Sequence, residues 1–339
     1  DGGGVRGLSQ LIILRELMDR VKSTAGLATP PLPAEYFDLI GGTGTGGLIA
    51  LMLGPLCMSV ADAITTYGQM SEQVFSEKKW KGKDSTFKAS KLEDFIKSIV
   101  AAKLGNSQAQ MLDLSRNDPC KAFICAMPAY SISAAIPRLF RTYQVPKGLT
   151  FNCMIWEAAR ATSATPKIFK PINIGDSSLQ ELFISSGIGC NNSIRQVLQE
   201  AELVFPSKYV ACVLSIGAGH SKTISFASTG GLFGNVLPLS VCTTMYSIAT
   251  DCEGTAEEMA RQFQTISGFY FRFNVDQGLQ SFKLGEWYRL SEVQTHAEQY
   301  LHTISGDRML TATVQALTKA SNKLLTSALS KFYSFWRFW

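Results

Sequence analysis

The stretch Tyr36 to Gly54, YFDLIGGTGTGGLIALMLG, decides the fold. Phe37, Leu39 and Ile40 read as a buried strand, the glycines as a tight turn, and a helix opens at about Thr45. A strand–elbow–helix of this kind raises the side chain at its apex above the sheet, and its signature is G-x-S-x-G. Here the five positions are Gly42, Thr43, Gly44, Thr45 and Gly46, so the apex is Gly44 and carries no side chain. A hydrogen atom cannot attack a carbonyl carbon.

Upstream, Asp1-Gly2-Gly3-Gly4-Val5-Arg6-Gly7 opens a helix with the apolar stripe Leu11, Leu14, Leu17, Met18 and Val21. Free backbone N–H groups where a glycine loop enters a helix suit an anion. Gly2, Gly4 and Gly7 also match G-x-G-x-x-G, but a dinucleotide site wants a strand before it and an acidic residue ending a second strand about 20 residues on. The chain instead continues as helix and then as the linker Thr29-Pro30-Pro31-Leu32-Pro33, so an oxyanion-binding loop fits better than a cofactor site. No cofactor is implied. A strand is expected immediately before the glycines.

Downstream, Met58 to Phe75 reads as a helix with Ala61, Ile64, Tyr67 and Val74 on one face. Lys91 to Leu104 reads as another, with Leu92, Phe95, Ile96 and Ile99 inward. Lys121 to Ala126, Leu139 to Val145 and Leu182 to Ile184 read as strands, and Met154 to Ala161 as a short helix. A helix with Ile194, Val197 and Leu198 inward precedes an apolar strand from Tyr209 to Ile216, stopped by Gly217-Ala218-Gly219. Ser221 to Thr250 reads as loop, Glu253 to Ile266 as helix, Phe269 to Val275 as strand, and Val293 to Leu301 and Met309 to Leu329 as helices. Strands alternating with helices predict a mostly parallel sheet covered on both faces.

The composition excludes several classes. With 339 residues, 46% hydrophobic and 17% charged, the chain can bury a large core. A net charge of +5 is too small and dispersed for nucleic acid, which wants clustered Lys and Arg. The densest basic run, Lys78-Lys79-Trp80-Lys81-Gly82-Lys83, reads as a solvated loop, with an anionic membrane surface as its alternative. The eight cysteines (57, 120, 125, 153, 190, 212, 242 and 252) form no CxxC pair and no metal spacing, so no metal is implied. Several lie in apolar strands, and the setting expected is reducing and cytoplasmic. The longest apolar run, Leu48 to Leu56, is broken by Gly54 and Pro55 and falls short of the roughly 18 residues of a membrane helix.

In order, DGGGVRG, G-x-x-x-G behind a DLIGGT strand, IWEAARATSA, a G-x-NN turn and VLSIGAG resemble the patatin-like phospholipase family, most closely its fungal members. FYFRFNVDQGL and LGEW extend the likeness from Asp1 to about Leu301, leaving 302–339 as a C-terminal helical extension. The resemblance implies a three-layer α/β/α fold related to α/β hydrolases, and lipid acyl hydrolysis of phospholipase A or lysophospholipase type. It also implies a Ser–Asp dyad, with the glycine loop as oxyanion hole. Position by position, Gly2, Gly3 and Gly4 keep the loop and Arg6 is retained within it. The nucleophile falls on Gly44, between the elbow glycines Gly42 and Gly46. The aspartate falls on Ser185, and the glycine after it is Ser186. Asn191 and Asn192 persist, but the usual proline after them is Ser193.

Four departures around one centre remove the chemistry the family implies. Gly44 offers nothing to activate, and Ser185 is no base at neutral pH. Thr43 and Thr45 flank the apex without being aimed by it; His220 and Cys190 read as a surface residue and a buried filler. The expectation is a pseudoenzyme with a lipid or membrane surface as partner. The alternatives are an active lipid hydrolase with an unconventional nucleophile, and a signalling or assembly module for an unspecified protein. Leu324, Leu325, Ala328, Leu329, Phe332, Phe335, Trp336 and Trp339 form a helical stripe that either caps the core or lies in a membrane interface, the core being favoured.

Overall fold

The computed structural model describes residues 1–79, 85–132, 136–146, 151–176, 178–220, 239–319 and 323–333. The sheet grows from the elbow strand. β1 (Leu39–Thr43) pairs in parallel with β2 (Lys121–Pro128), Thr43 lying opposite Cys125. β3 (Arg138–Arg141) and β5 (Glu181–Ser185) join β2 antiparallel, Ser185 opposite Ala126, and β4 (Ile172–Ile174) joins β5. β6 (Tyr209–Val210) pairs antiparallel with β9 (Leu324–Leu325), and β7 (Val213–Ile216) pairs in parallel with β8 (Tyr270–Phe273). Pairing is therefore mixed, with the parallel pairs on the two sides of the glycine loop.

Side-chain alternation along β2 sets the layers. Ile124 and Ala126 enter the main core with α3 (Thr45–Leu53) and α6 (Ile155–Ser163). Phe123 and Cys125 pack the other way, against Leu139, Cys190 and Val197 of α7 (Ile194–Val204). This is the α/β/α arrangement. Glu200 ties α7 to the sheet side: its buried carboxylate accepts from Arg141 Nε (2.6 Å) and Nη2 (2.7 Å) and from the Tyr143 hydroxyl (2.7 Å).

α1 (Leu8–Ala25) is the central helix, and all five stripe residues from Leu11 to Val21 are buried. It ends at Gly26, whose φ of +66° is the left-handed cap glycine favours. A short α2 (Pro33–Tyr36) begins with Pro33 inside the linker. α4 (Val60–Phe75), α10 (Leu290–Leu301) and α11 (Ile304–Thr318) pack on α1. The stripe of α4 runs through Val60, Ala63, Tyr67, Met70 and Val74; Ala61, expected inward, is exposed because it lies about 140° from the middle of that face. In α5 (Ala89–Leu104), Leu92, Phe95, Ile96 and Val100 are buried, and Ile99 is half-buried.

Other expectations shift. The run expected as one strand from Tyr209 to Ile216 divides at Ala211–Cys212 into β6 and β7, which belong to different sheets. The strand expected to reach Val145 stops at Arg141, and β4 had no sequence signal. Part of the expected loop before Thr250 is helical, α8 (Leu239–Ala249); residues 221–238 lie outside the described residues. α9 (Glu253–Phe263) stops short of Ile266.

The helix expected from Met309 to Leu329 ends at Thr318, and the expected C-terminal stripe is not one helix. It is β9, a 3-10 turn and α12 (Ser330–Tyr333). Leu329 is fully buried against Phe263 and Phe269, and the Phe332 ring lies 4.6 Å from that of Phe263. The described part of the stripe thus caps the core; residues 334–339 lie outside the described residues, as do residues 80–84 of the basic run.

Candidate functional site

The elbow forms where expected, between β1 and α3. Gly44 sits at its apex with φ +57° and ψ −124°, a backbone region that only glycine enters without strain. Its N–H donates to the Thr162 hydroxyl (2.8 Å), which donates in turn to Cys125 O (2.7 Å). A Cβ at Gly42 would fall 2.2 Å from Gly46 O, and one at Gly46 would fall 2.7 Å from Asp1 O. Those glycines are required by the close approach of backbone to backbone. Gly44 is different: a Cβ there would meet nothing nearer than Gly2 Cα at 3.4 Å. Space for a side chain exists at the apex, facing the glycine loop.

The flanking threonines are committed elsewhere. Thr43 is fully buried, donates to Cys190 O (2.7 Å) and lies 3.3 Å from the Ser186 hydroxyl. Thr45 accepts from Gly3 N–H through its hydroxyl (3.0 Å). Each holds a loop to the elbow.

The glycine loop lies against the elbow. Gly2 N–H donates to Asn191 O (3.4 Å), and Gly4 O accepts from the Tyr67 hydroxyl (2.5 Å). With Gly3 N–H on Thr45, two of the three loop donors are engaged within the protein. Arg6 lies in the 3-10 turn Gly4–Gly7, its Nε donating to Gly3 O (3.4 Å). Burial lowers the guanidinium pKa, offset in part by Cys252 and Tyr67 nearby, and burial raises the Tyr67 phenol. The Arg6 charge therefore stands in a poorly hydrated place beside the loop.

Ser185 ends β5 and is buried, its N–H donating to Ala164 O (3.0 Å) and its hydroxyl accepting from Gly187 N–H (3.3 Å). Through β2, its register places it level with the residue after Thr43, two strands away and on the order of 10 Å across the sheet. Gly44 and Ser185 are thus brought to the same end of the sheet. Asn191 donates to Thr250 O (2.8 Å) and to the Cys252 sulfur (3.1 Å). Asn192 Oδ1 accepts from Ile194 N–H (3.1 Å), steadying the start of α7 in front of Ser193.

The His220 Nε2 lies 3.4 Å from Asp276 and 3.8 Å from Glu253. The Cys190 thiol is buried and donates to Gln196 (3.2 Å). Among the described residues no cluster of His, Cys, Asp and Glu could hold a metal ion, and no helix is long and apolar enough to cross a membrane.

Two features escaped sequence reading. Thr162, within RATSAT, bridges elbow and β2, and no local pattern marks a threonine for that. Arg272 joins the buried Asp1 carboxylate (2.7 Å) to Glu253 (3.1 Å) and Ser215 (3.0 Å), while Asn274 donates to Glu253 (2.7 Å). The segment FYFRFN that supplies it reads in the sequence as a strand and as part of the family likeness, with no role marked for Arg272.

Comparison with known proteins agrees with this geometry. The chain is 27% identical over 303 residues to a mouse protein named calcium-independent phospholipase A2-gamma, covering 81% of this chain and 34% of that one. It is 26% identical to phospholipase A I of Arabidopsis thaliana, covering 66% of this chain and 20% of that protein. An Arabidopsis protein named "Probable inactive patatin-like protein 9" is 25% identical over 66% of this chain and 60% of its own length. The chain thus spans about a third or less of the phospholipases it matches. Residues 1–198, more than half of the 339, match the family described as patatin-like phospholipase, and the chain belongs to that family.

Proposed function

We propose that this member of the patatin-like phospholipase family is a catalytically inactive copy, of the fungal type, whose elbow and glycine loop bind a lipid acyl group or lipid surface without turning it over. One observation carries the reading: the apex that aims a nucleophile is Gly44, and the two adjacent hydroxyls already hold other parts of the site. Ser185, at the position of the base, has no proton affinity to lend at neutral pH. In serine hydrolases, losing the nucleophile or its base costs up to about 10⁶ in rate and leaves about 10³ to 10⁴ over water. The residual belongs to the oxyanion hole, and engagement of Gly2 and Gly3 N–H within the protein reduces even that.

In this reading Gly2, Gly3 and Gly4, with Arg6 behind them, form one wall of the lipid site, and Gly42 and Gly46 preserve its partner turn. We take 1–301 as the phospholipase-type domain and 302–339 as an extension, of which α11 packs along α1 and β9 pairs with β6.

The test is direct. The protein and a mock preparation are offered a short-chain p-nitrophenyl ester and a fluorophosphonate probe. We expect turnover no faster than the mock and no labelled residue. Labelling of Thr43, Thr45 or a nearby serine, with matching turnover, would establish an unconventional nucleophile and end the proposal.

A further inference from the structure

Six lysines from three segments meet on one face beside the glycine loop. Lys78 and Lys79 follow α4, Lys88 and Lys91 open α5, and Lys167 and Lys170 follow α6. Backbone contacts bring them together. Lys78 bridges Phe87 antiparallel, Ser85 bridges Lys167 in parallel, and Lys79 N–H donates to Thr86 O (2.7 Å). Thr86 N–H and Phe87 N–H donate to Lys167 O (2.8 Å) and Ile168 O (3.0 Å). Beneath them the Phe75, Phe87 and Phe169 rings pack with centroids 5.0 to 6.2 Å apart, an aromatic base for the face.

Dispersed in the sequence, the charge is gathered by the fold. Among the described residues of these segments Glu77 is the one acid, its Oε2 shared by Lys88 (3.2 Å) and Lys91 (3.0 Å). Six lysines against one carboxylate leave +5, the net charge of the whole chain, so everything else sums to zero. Among the described residues no carboxylate pairs with Lys78, Lys167 or Lys170, and all three are exposed. Beyond the face on α5, Glu93 is matched by Lys97 (2.8 Å). Lys167 adds an independent observation. Its φ is +68°, in the left-handed region that glycine and asparagine favour and a long side chain rarely enters. The contacts that hold this backbone, from Thr86 N–H and hydroxyl (both 2.8 Å), go to its carbonyl and need no lysine side chain. A strained position that presents an exposed cation points to a use for the charge.

The face adjoins the site. Leu284 O accepts from Val5 N–H of the glycine loop (3.0 Å), and a Cβ on Gly285 would fall 2.7 Å from the Phe87 ring. On the other side Ala164, three residues before Lys167, accepts from Ser185 N–H through its carbonyl (3.0 Å). We propose that these six lysines dock on an anionic lipid surface and hold the glycine loop beside the bilayer. This deepens the lipid reading above by naming the face that meets the lipid, and it rests on the lysines rather than on the elbow. All six are lysines, point charges on flexible stems that suit a diffuse anionic surface, with no arginine among them to read bases or fork onto phosphates. Each lysine within a Debye length of anionic headgroups strengthens binding about fivefold, and salt screens the gain.

The test measures co-sedimentation of the protein with vesicles of phosphatidylcholine alone, and of phosphatidylcholine and phosphatidylserine in equal parts. We expect binding to the anionic vesicles only, lost at about 1 M salt, where the Debye length is about 3 Å. Lys78→Gln, Lys88→Gln and Lys170→Gln combined should weaken it on the order of a hundredfold, with the unfolding midpoint little changed. Lys167→Gly should weaken it about fivefold while holding or raising that midpoint, because glycine keeps the left-handed backbone. Equal binding to both vesicles, or binding unaltered in either variant, would overturn the proposal. Binding of duplex DNA but not of vesicles would assign the face to nucleic acid and overturn it too. Absence of all binding refutes the docking face alone: turnover of a soluble short-chain ester, which needs no surface, reads the proposed function separately.

Discussion

The elbow and the turn after β5 stand at the same end of the sheet, yet they are held in opposite ways. The elbow is held by exclusion. Gly42 and Gly46 have backbone where a Cβ would be, so its shape survives whatever chemistry it serves. The turn after β5 is held by exchangeable hydrogen bonds, from Gly187 N–H to the Ser185 hydroxyl, between the Ser186 and Thr43 hydroxyls, and from Asn191 to Thr250 O. A Cβ on Gly187 would keep 3.5 Å from its nearest neighbours. The proposed inactivity therefore rests on a different physical feature in each region. At the elbow, the open position is Gly44, which carries no side chain and enters its φ of +57° without strain. At the turn, Ser185 carries a hydroxyl that accepts from Gly187 N–H, and Ser186 and Asn191 make further contacts around it.

The contrast can be broken by substitution. Gly42→Ala should have the largest effect, because a Cβ 2.2 Å from Gly46 O displaces backbone. A loss of about 4 kcal/mol or more in denaturant unfolding, or failure to fold, is expected. Thr162→Val comes next: it leaves Gly44 N–H and Cys125 O without their hydroxyl. Each stranded group should cost about 1 to 3 kcal/mol, read by the same titration. Gly44→Ser tests the strain at the apex, where φ is +57°, and should cost about 1 to 3 kcal/mol with the fold intact by circular dichroism. Gly187→Ala should change the unfolding midpoint least, by about 0.5 kcal/mol or less. If Gly187→Ala cost as much as Gly42→Ala, the two regions would not differ as described.

Those same residues mark what a sequence can carry. The elbow was legible because a strand, glycines at fixed spacing and an apolar helix leave their pattern within one short run. The stripe of α1 was legible for the same reason. Tyr209 to Ile216 was not, since one apolar run reads alike whether it meets one partner strand or two, and β9 lies more than a hundred residues away. The break after Thr318 and the pairing of Leu324–Leu325 are likewise tertiary. At the site, the sequence shows a glycine at the elbow apex and a serine at the end of a strand, Gly44 and Ser185. The engagement of Gly3 by Thr45, and the bridge through Thr162, depend on segments folding onto one another.

The central claim is that the scaffold remains while the dyad is gone. It is tested most directly by assaying a short-chain p-nitrophenyl ester with the protein as it stands and with Gly44→Ser and Ser185→Asp combined. The account predicts turnover above the mock preparation only in the double variant. Turnover by the unchanged protein would contradict it.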